Sequence, residues 1–441
     1  MLDGANRIST QMLTNVHGRP WTSDGFRTSW SNAKEKAKNH PSGGSAAHAG
    51  ARANLKLTFH LDHSAGLIKQ YRSKRFKTNV SSHSYPRFES SLAGQHVLLT
   101  GHTGFTGGWL ALWLHTIGCE ISGLALPPET DPNLFSAAKI ADQLNSNYGD
   151  IRDFATVTRA VVRARPSIIF HLAAQPLVSR GFAEPLETFT TNMIGTAHVL
   201  EAARLAPSVK AVVCVTTDKV YAERECHGGY REVDRLGGKD PYAASKACAE
   251  LVASCYRSTM ASRGNGAHIA TARGGNIIGG GDWSANRIVP DFIRATVSAA
   301  PLMLRNPDAV RPWQHVLALV HGCLLLASRL LDGRAEFADA WNFGPVDNNA
   351  VTVGALVHCL GKVWKRPEII YEKSGFPETH FLRLDSSKAR KLLEWRPPLD
   401  FEDAVRLTAE WYRDYYAKPT AAAALTRAHI EKYRQIIGSA S

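Results

Sequence analysis

Short apolar runs alternating with amphipathic stretches begin abruptly at Gln95. His96-Val-Leu-Leu-Thr100 is short and apolar enough for a buried strand. Leu110, Trp113, Leu114 and Ile117 then recur at helical spacing up to Gly118, which predicts strand, glycine turn and a helix over Gly107 to Ile117. The same alternation predicts strands at Glu120 to Ala125, Ser167 to His171, Lys210 to Val215 and His268 to Arg273. Helices are predicted at Phe154 to Arg165, Pro185 to Leu205 and Tyr242 to Ser258. Strands that are apolar throughout, each followed by a helix, belong in a parallel sheet covered on both faces. The fold class is therefore α/β, a doubly wound parallel sheet. After Asn276 the pattern breaks into Pro and Gly clusters, as expected of a smaller C-terminal domain that interleaves with the sheet and caps it.

Residues 1 to 90 carry no such pattern. They are rich in Ser, Asn, His, Lys and Arg, and the stretch at 41 to 51 reads as linker. The formal net charge of +13 is concentrated there: 14 Lys and Arg stand against 5 Asp and Glu, while the other 351 residues carry 38 against 34. The main body therefore lacks the basic surface that nucleic-acid binding needs. The apolar stretch Trp109 to Cys119 is about half the ~20 residues that cross a bilayer, and no signal peptide opens the chain. Seven cysteines without a C-x-x-C pair suit neither a disulfide framework nor a metal site. These features imply a cytoplasmic protein with no membrane, nucleic-acid or metal partner. The expected divisions are a basic leader over 1–90, a dinucleotide-binding domain over 91–275, a substrate-binding domain over 276–415 and a helical tail over 416–441.

Candidate chemistry gathers at the strand ends. Gly101-His-Thr-Gly104-Phe-Thr-Gly107 has the G-x-x-G-x-x-G spacing between strand and helix that lets backbone N–H groups approach a dinucleotide pyrophosphate. No carboxylate closes the second strand, so Asp150, with Ile151, is the nearest acid expected at the adenine end. No Arg follows that strand to take a 2′-phosphate, which favours NAD over NADP. Tyr242-Ala-Ala-Ser-Lys246 puts a phenol and an ammonium on one helix face. A tyrosine titrating near ~10 needs a shift of about three units to act as a base at neutral pH, and Lys246 together with a nicotinamide charge is expected to supply it.

With Thr216-Thr217-Asp218-Lys219 ahead of the Tyr–Lys pair, the chain resembles the short-chain dehydrogenase/reductase superfamily. The resemblance narrows at G-H-T-G-F-T-G-G-W-L (101–110), H-L-A-A-Q-P-L-V (171–178), T-T-D-K-V-Y (216–221), D-P-Y-A-A-S-K (240–246), G-N-I-I-G-G-G-D-W (275–283), R-P-W-Q-H-V (311–316) and W-N-F-G-P (341–345). From about residue 95 to Tyr412 the chain resembles the CDP-glucose 4,6-dehydratases, with Thr106 where a Lys is commoner and Glu394 where Gly is usual. The resemblance implies a Rossmann-type domain holding NAD through Gly101, His102, Gly104, Phe105, Thr106, Gly107, Asp150, Ile151, Leu172, Ala173, Ala174, Tyr242 and Lys246. It implies Thr217, Asp218, Lys219, Tyr242 and Lys246 as the reacting groups. Asp218 would protonate the leaving C6 hydroxyl and Lys219, its pKa lowered by burial, would take the C5 proton. Asn276, Arg287, Arg311 and His315 are implied for the nucleotide sugar, CDP-glucose. Also implied are a homodimer paired through a four-helix bundle and a place in deoxysugar supply for surface polysaccharide. A 4-epimerase, or a dehydratase of another nucleotide sugar, shares Tyr242 and Lys246, so Asp218 and Lys219 discriminate between them.

The leader carries a second resemblance. G-R-P-W-T-S-D-G-F-R-T-S-W (18–30) and L-T-F-H (57–60) resemble a fragment of phage-type tyrosine recombinases, but Leu61-Asp62-His63 stands where that family has D-L-R with its phosphate-holding Arg. A remnant without its own core is the reading this favours; a functional basic arm is the alternative.

Overall fold

The computed structural model describes residues 88–224, 228–262, 266–345, 351–372 and 381–439. The recombinase-like fragment and all of the leader up to residue 87 lie outside the described residues.

Seven parallel strands form the central sheet: β1 (His96–Thr100), β2 (Glu120–Ala125), β3 (Asn145–Tyr148), β4 (Ile168–His171), β5 (Ala211–Val215), β6 (His268–Gly274) and β7 (Ala340–Phe343), in the order β7-β6-β5-β4-β1-β2-β3. Alternate residues of one strand enter different cores, the signature of a sheet covered on both sides. Val97 and Leu99 pack with the helices Phe105–Ile117 and Val316–Leu331, whereas Leu98 packs with Phe154–Ala164 and Gly195–Leu205. The helix Phe105–Ile117 is buried without a break from Gly107 to Leu114, because later helices cover the side that faces away from the sheet. Gly118 ends it in the left-handed region at φ 90°, its N–H reaching back to the last carbonyls.

Three features of the fold matter for the site. β7 comes from beyond residue 276 and pairs with Thr271–Gly274 of β6, so the chain returns to the sheet after leaving it. The tail helix Ala422–Ser439 also packs into the main core through Ile430 and Tyr433. Finally, the helix expected over Pro185 to Leu205 runs unbroken but changes pitch: a π-helical turn at Thr190–Ile194 links Pro185–Phe189 to Gly195–Leu205 and turns Asn192 inward.

The folded region also begins earlier than residue 91. Phe88–Leu92 is helical, and Phe88 and Glu89 are buried. Among the described residues no helix is long and apolar enough to cross a membrane.

Candidate active site

Register aligns the ends of the central strands. Thr100 of β1 lies beside His171 of β4, His171 beside Cys214 of β5, and Cys214 beside Thr271 of β6. The residues just past this row, Gly101, Leu172 and Thr216–Lys219, therefore emerge along one edge, where α/β sheets bind ligands.

At β1 the turn is a cradle that side chains would fill. Gly101 sits at φ +80°, and a Cβ there would lie 2.6 Å from the Ala173 nitrogen; a Cβ on Gly107 would lie 2.0 Å from the Gly101 oxygen. Gly104 is exposed and opens the helix Phe105–Ile117 with no side-chain cap, so the first amides are free for an anion. This fits a dinucleotide pyrophosphate, and Leu172, Ala173 and Ala174, half-buried, form the facing wall. His102 departs from expectation: its ring is buried beneath Gly123, with Nε2 2.8 Å from the Ser146 hydroxyl, so only its backbone faces the cradle. Phe105 and Thr106 are half-buried at the start of the helix. The Ile151 side chain belongs to the core, and the Asp150 carboxylate already accepts from the Arg152 amide (2.8 Å) and guanidinium (2.6 and 2.8 Å).

Across the crevice, Asp240 caps the helix Pro241–Ala261 by accepting from the Ala243 amide at 2.9 Å, which fixes Tyr242 in the first turn. Tyr242, Lys246, Thr217 and Asp218 are all less than a tenth exposed. Burial pushes the Tyr242 phenol up to about 12, against its contact with the Thr217 hydroxyl and the charge of Arg287. In the chain alone desolvation outweighs the charge of Arg287. Lys246 donates to the Val215 oxygen at 3.3 Å, and burial brings its ammonium down to about 8, opposed by Cys214 and Glu250.

Thr217 caps a tight turn over Asp218–Val220 and donates to Asp218 Oδ1 at 3.0 Å. The other oxygen, Oδ2, is buried with no hydrogen-bond partner. Burial raises the Asp218 pKa, with Lys219, Thr217 and Arg311 pulling the other way. A buried carboxyl whose pKa burial raises, with one oxygen unpaired, is suited to donate a proton to a ligand. Lys219 is half-buried beside it.

The cations expected for substrate reach the same region. Arg287 pairs with Asp282 at 3.0 Å and acts on the Tyr242 phenol, whereas Arg311 acts on Asp218. Arg311 also joins Arg383, Arg390 and Arg396 around a cavity of about 320 Å³. Asn276 contributes a backbone oxygen to the Gln314 amide at 3.0 Å. His315 lines the cavity too, yet its Nδ1 caps the helix Val316–Leu331 through the Leu317 amide at 3.3 Å, and burial takes its pKa down to about 3. Its Nε2 has no hydrogen-bond partner.

Sequence reasoning missed the polar relay that joins the two halves of the site. The Thr100 hydroxyl accepts from the Leu172 and Ala173 amides at 3.2 and 3.3 Å, so its own hydrogen goes to His171 Nδ1, 2.8 Å away. The His171 proton is then on Nε2, donated to Thr196 at 3.0 Å; Thr196 in turn donates to the Asn192 oxygen at 2.6 Å. The Asn192 side chain donates to Ser245 at 2.9 Å, between Tyr242 and Lys246. The one signal in the sequence was an Asn in mid-helix, where its helix propensity is poor. Among the described residues no three His, Cys, Asp or Glu side chains gather to hold a metal ion.

A parallel sheet in this order, with a glycine cradle after β1 and a buried Tyr–Lys pair beside the end of β5, defines an extended short-chain dehydrogenase/reductase. The chain belongs to the GDP-mannose 4,6 dehydratase family, whose pattern matches residues 98–408. It is 41% identical to the CDP-glucose 4,6-dehydratase of Salmonella typhimurium, over 73% of this chain and 91% of that protein. It is 28% identical to the dTDP-glucose 4,6-dehydratase of Streptomyces griseus, over 73% of this chain and 94% of that one. The structure resembles that of DesIV, a dTDP-glucose 4,6-dehydratase of Streptomyces venezuelae solved with NAD bound. The TM-score is 0.60 and the identity 27%, covering 74% of this chain and 99% of that one.

Proposed function

We propose that this chain is an NAD-dependent hydro-lyase that converts CDP-glucose to CDP-4-keto-6-deoxyglucose. The observation that carries the reading is Asp218, a buried carboxyl with one unpaired oxygen, held by Thr217 at the place where Tyr242 and Lys246 also converge. Bound NAD supplies the acceptor for the C4 hydrogen, its return to C6, and a positive charge that favours the Tyr242 phenolate. Tyr242 takes the C4 hydroxyl proton and Thr217 holds that oxygen. Lys246 stabilises the phenolate by its charge. Once C4 is a ketone the C5 proton is acidic: Lys219 removes it, and Asp218 protonates the C6 hydroxyl so that it leaves as water. Arg311, with the arginines around its cavity, is positioned for the substrate diphosphate. The choice of cytidine follows the 41% identical Salmonella enzyme.

With CDP-glucose deuterated at C4, the label is expected in the C6 methyl group while C5 takes hydrogen from solvent. Label retained at C4 with no methyl group formed would instead assign a 4-epimerase, and turnover of only dTDP- or GDP-sugars would overturn the choice of base.

A cytoplasmic homodimer is part of the same reading. Leu186 and Ile194 on the Pro185–Leu205 segment and Leu251 on Pro241–Ala261 are exposed apolar side chains, Leu186 by 82% and Leu251 by 59%. Pairing two copies through these segments buries them in a four-helix bundle. Leu251→Glu is expected to yield monomers in sedimentation velocity; a dimer unaffected by it would place the interface elsewhere.

A further inference from the structure

The helix that carries Tyr242 and Lys246 continues, one turn on, to Glu250, which is 3% exposed. Both of its carboxylate oxygens are engaged across two strands. Oε1 accepts from the Thr216 hydroxyl at 2.5 Å; Oε2 accepts from the Thr271 hydroxyl at 2.8 Å and from Arg273 Nη2 at 2.8 Å. Thr216 immediately precedes Thr217 and Asp218, and its amide is bonded to the Ala272 oxygen of β6 at 2.9 Å. Lys246 donates to Val215, the residue before Thr216. Two successive turns of the helix are thus fastened to two successive residues of the strand end. Arg273 is fastened in turn: Nη1 donates to Tyr221 OH at 2.8 Å, and that hydroxyl donates to the Asn342 side chain of β7 at 2.6 Å.

We infer that Glu250 is a positioning residue for the reaction: it sets the strand end bearing Thr217 and Asp218 against the helix bearing Tyr242 and Lys246, and its carboxylate is the counter-charge to the Lys246 ammonium. The inference rests on the reading of Tyr242 and Lys246 as the reacting pair. Three titratable groups act on Lys246 or feel its charge: Cys214 on β5, His171 on β4 and Glu250 on its own helix. Arg257 on that helix and Arg273 on β6 face Glu250. Burial holds His171 neutral, its pKa down to about 3, and raises that of the Cys214 thiol to about 12. The Glu250 carboxylate, one helical turn from Lys246 and paired with Arg273 at 2.8 Å, acts to keep the ammonium charged.

Three variants separate position, charge and bulk stability. Glu250→Gln removes the counter-charge and is expected to lower kcat by about tenfold or more with KM for the nucleotide sugar little changed, since geometry at the reacting centre is what is lost. The alkaline limb of its pH profile is expected to move to lower pH. Because a lone Arg273 is costly to bury, Glu250→Gln is combined with Arg273→Met, which is expected to restore the melting temperature while kcat stays low. Glu250→Asp keeps the charge but is too short to reach both strands, so the alkaline limb is expected to stay in place while kcat falls.

An NMR titration of lysine labelled with ¹³C at Cε reads Lys246 directly in the chain without substrate. Its midpoint is expected to drop in Glu250→Gln and to hold in Glu250→Asp. An unmoved midpoint in Glu250→Gln, or recovery of kcat together with stability in the double variant, would overturn the inference. Failure of the wild-type chain to turn over CDP-glucose would count against the proposed reaction and leave the lysine titration as an independent test of Glu250.

Discussion

Glu89 and Arg434, 345 residues apart, meet in the interior: Nη2 lies 2.6 Å from Oε2 and Nε lies 2.9 Å from Oε1, with both side chains less than a tenth exposed. Glu89 Oε1 also accepts from the Trp113 indole at 2.9 Å. The short helix at residue 88 and the tail helix are thereby locked onto the helix that opens the cofactor cradle.

This pair decides where the chain can be shortened. A chain beginning at Asn79 is expected to keep wild-type stability and turnover, in line with reading the leader as a remnant. One beginning at Ser91 loses Phe88 and Glu89 and leaves the buried Arg434 with Glu431, at 2.8 Å, in place of a bidentate buried partner, a loss of up to about 3–5 kcal/mol. Urea unfolding of the two chains tests this; equal midpoints would mean that Glu431 suffices for Arg434.

Two substitutions test the division of labour in the site. Tyr242→Phe keeps the ring and loses the acceptor for the C4 hydroxyl proton, so kcat is expected to fall ~10²- to 10⁴-fold. Lys219→Met is expected to suppress exchange of the C5 hydrogen with deuterated solvent as well as formation of the methyl group. Exchange at the normal rate in that variant would transfer the role of C5 base to Asp218 or a water.

The Lys246 pKa, about 8 against an ordinary 10.5, gives opposite trends for activity and stability. Activity that depends on the ammonium is expected to decline as pH rises through about 8. Stability runs the other way: between about 8 and 10.5 the unfolded chain holds a proton that the folded chain has released, so this group's contribution to unfolding free energy rises with pH. Loss of kcat above pH 8 with no drop in melting temperature is the expected pattern, and parallel losses would indicate unfolding instead.

Cofactor choice follows from what stands beyond β2. Leu126-Pro127-Pro128 carries no cation, and Glu129 is paired at 2.9 Å with Arg180 from beyond β4, an ion pair that spans the end of β1. A 2′-phosphate there meets a carboxylate and an Arg already shared with Glu184 and Glu187. NAD is expected to bind at least about tenfold more tightly than NADP, or about 1.4 kcal/mol, by calorimetry.

The sequence by itself determined five strands of the central sheet. β1 and β2 fall where the apolar runs place them, and β4, β5 and β6 within a residue, because a strand covered on both faces must be apolar throughout. It also determined the glycine cradle and the Tyr242–Lys246 pair, since both are fixed by spacing within a single turn or helix. Other features were decided only by the tertiary structure. Trp341 and Asn342 become part of β7 because β6 offers a free edge, and Asn342 is buried because Tyr221, Tyr230, Glu232 and Asp385 supply its partners. His315 is a neutral cap, Asn192 turns inward at a π-helical turn, and Glu250 finds Thr216, Thr271 and Arg273 on two strands. In each case the role of a polar side chain depends on which distant group satisfies it on burial, and local periodicity reports that a position is buried without naming the partner.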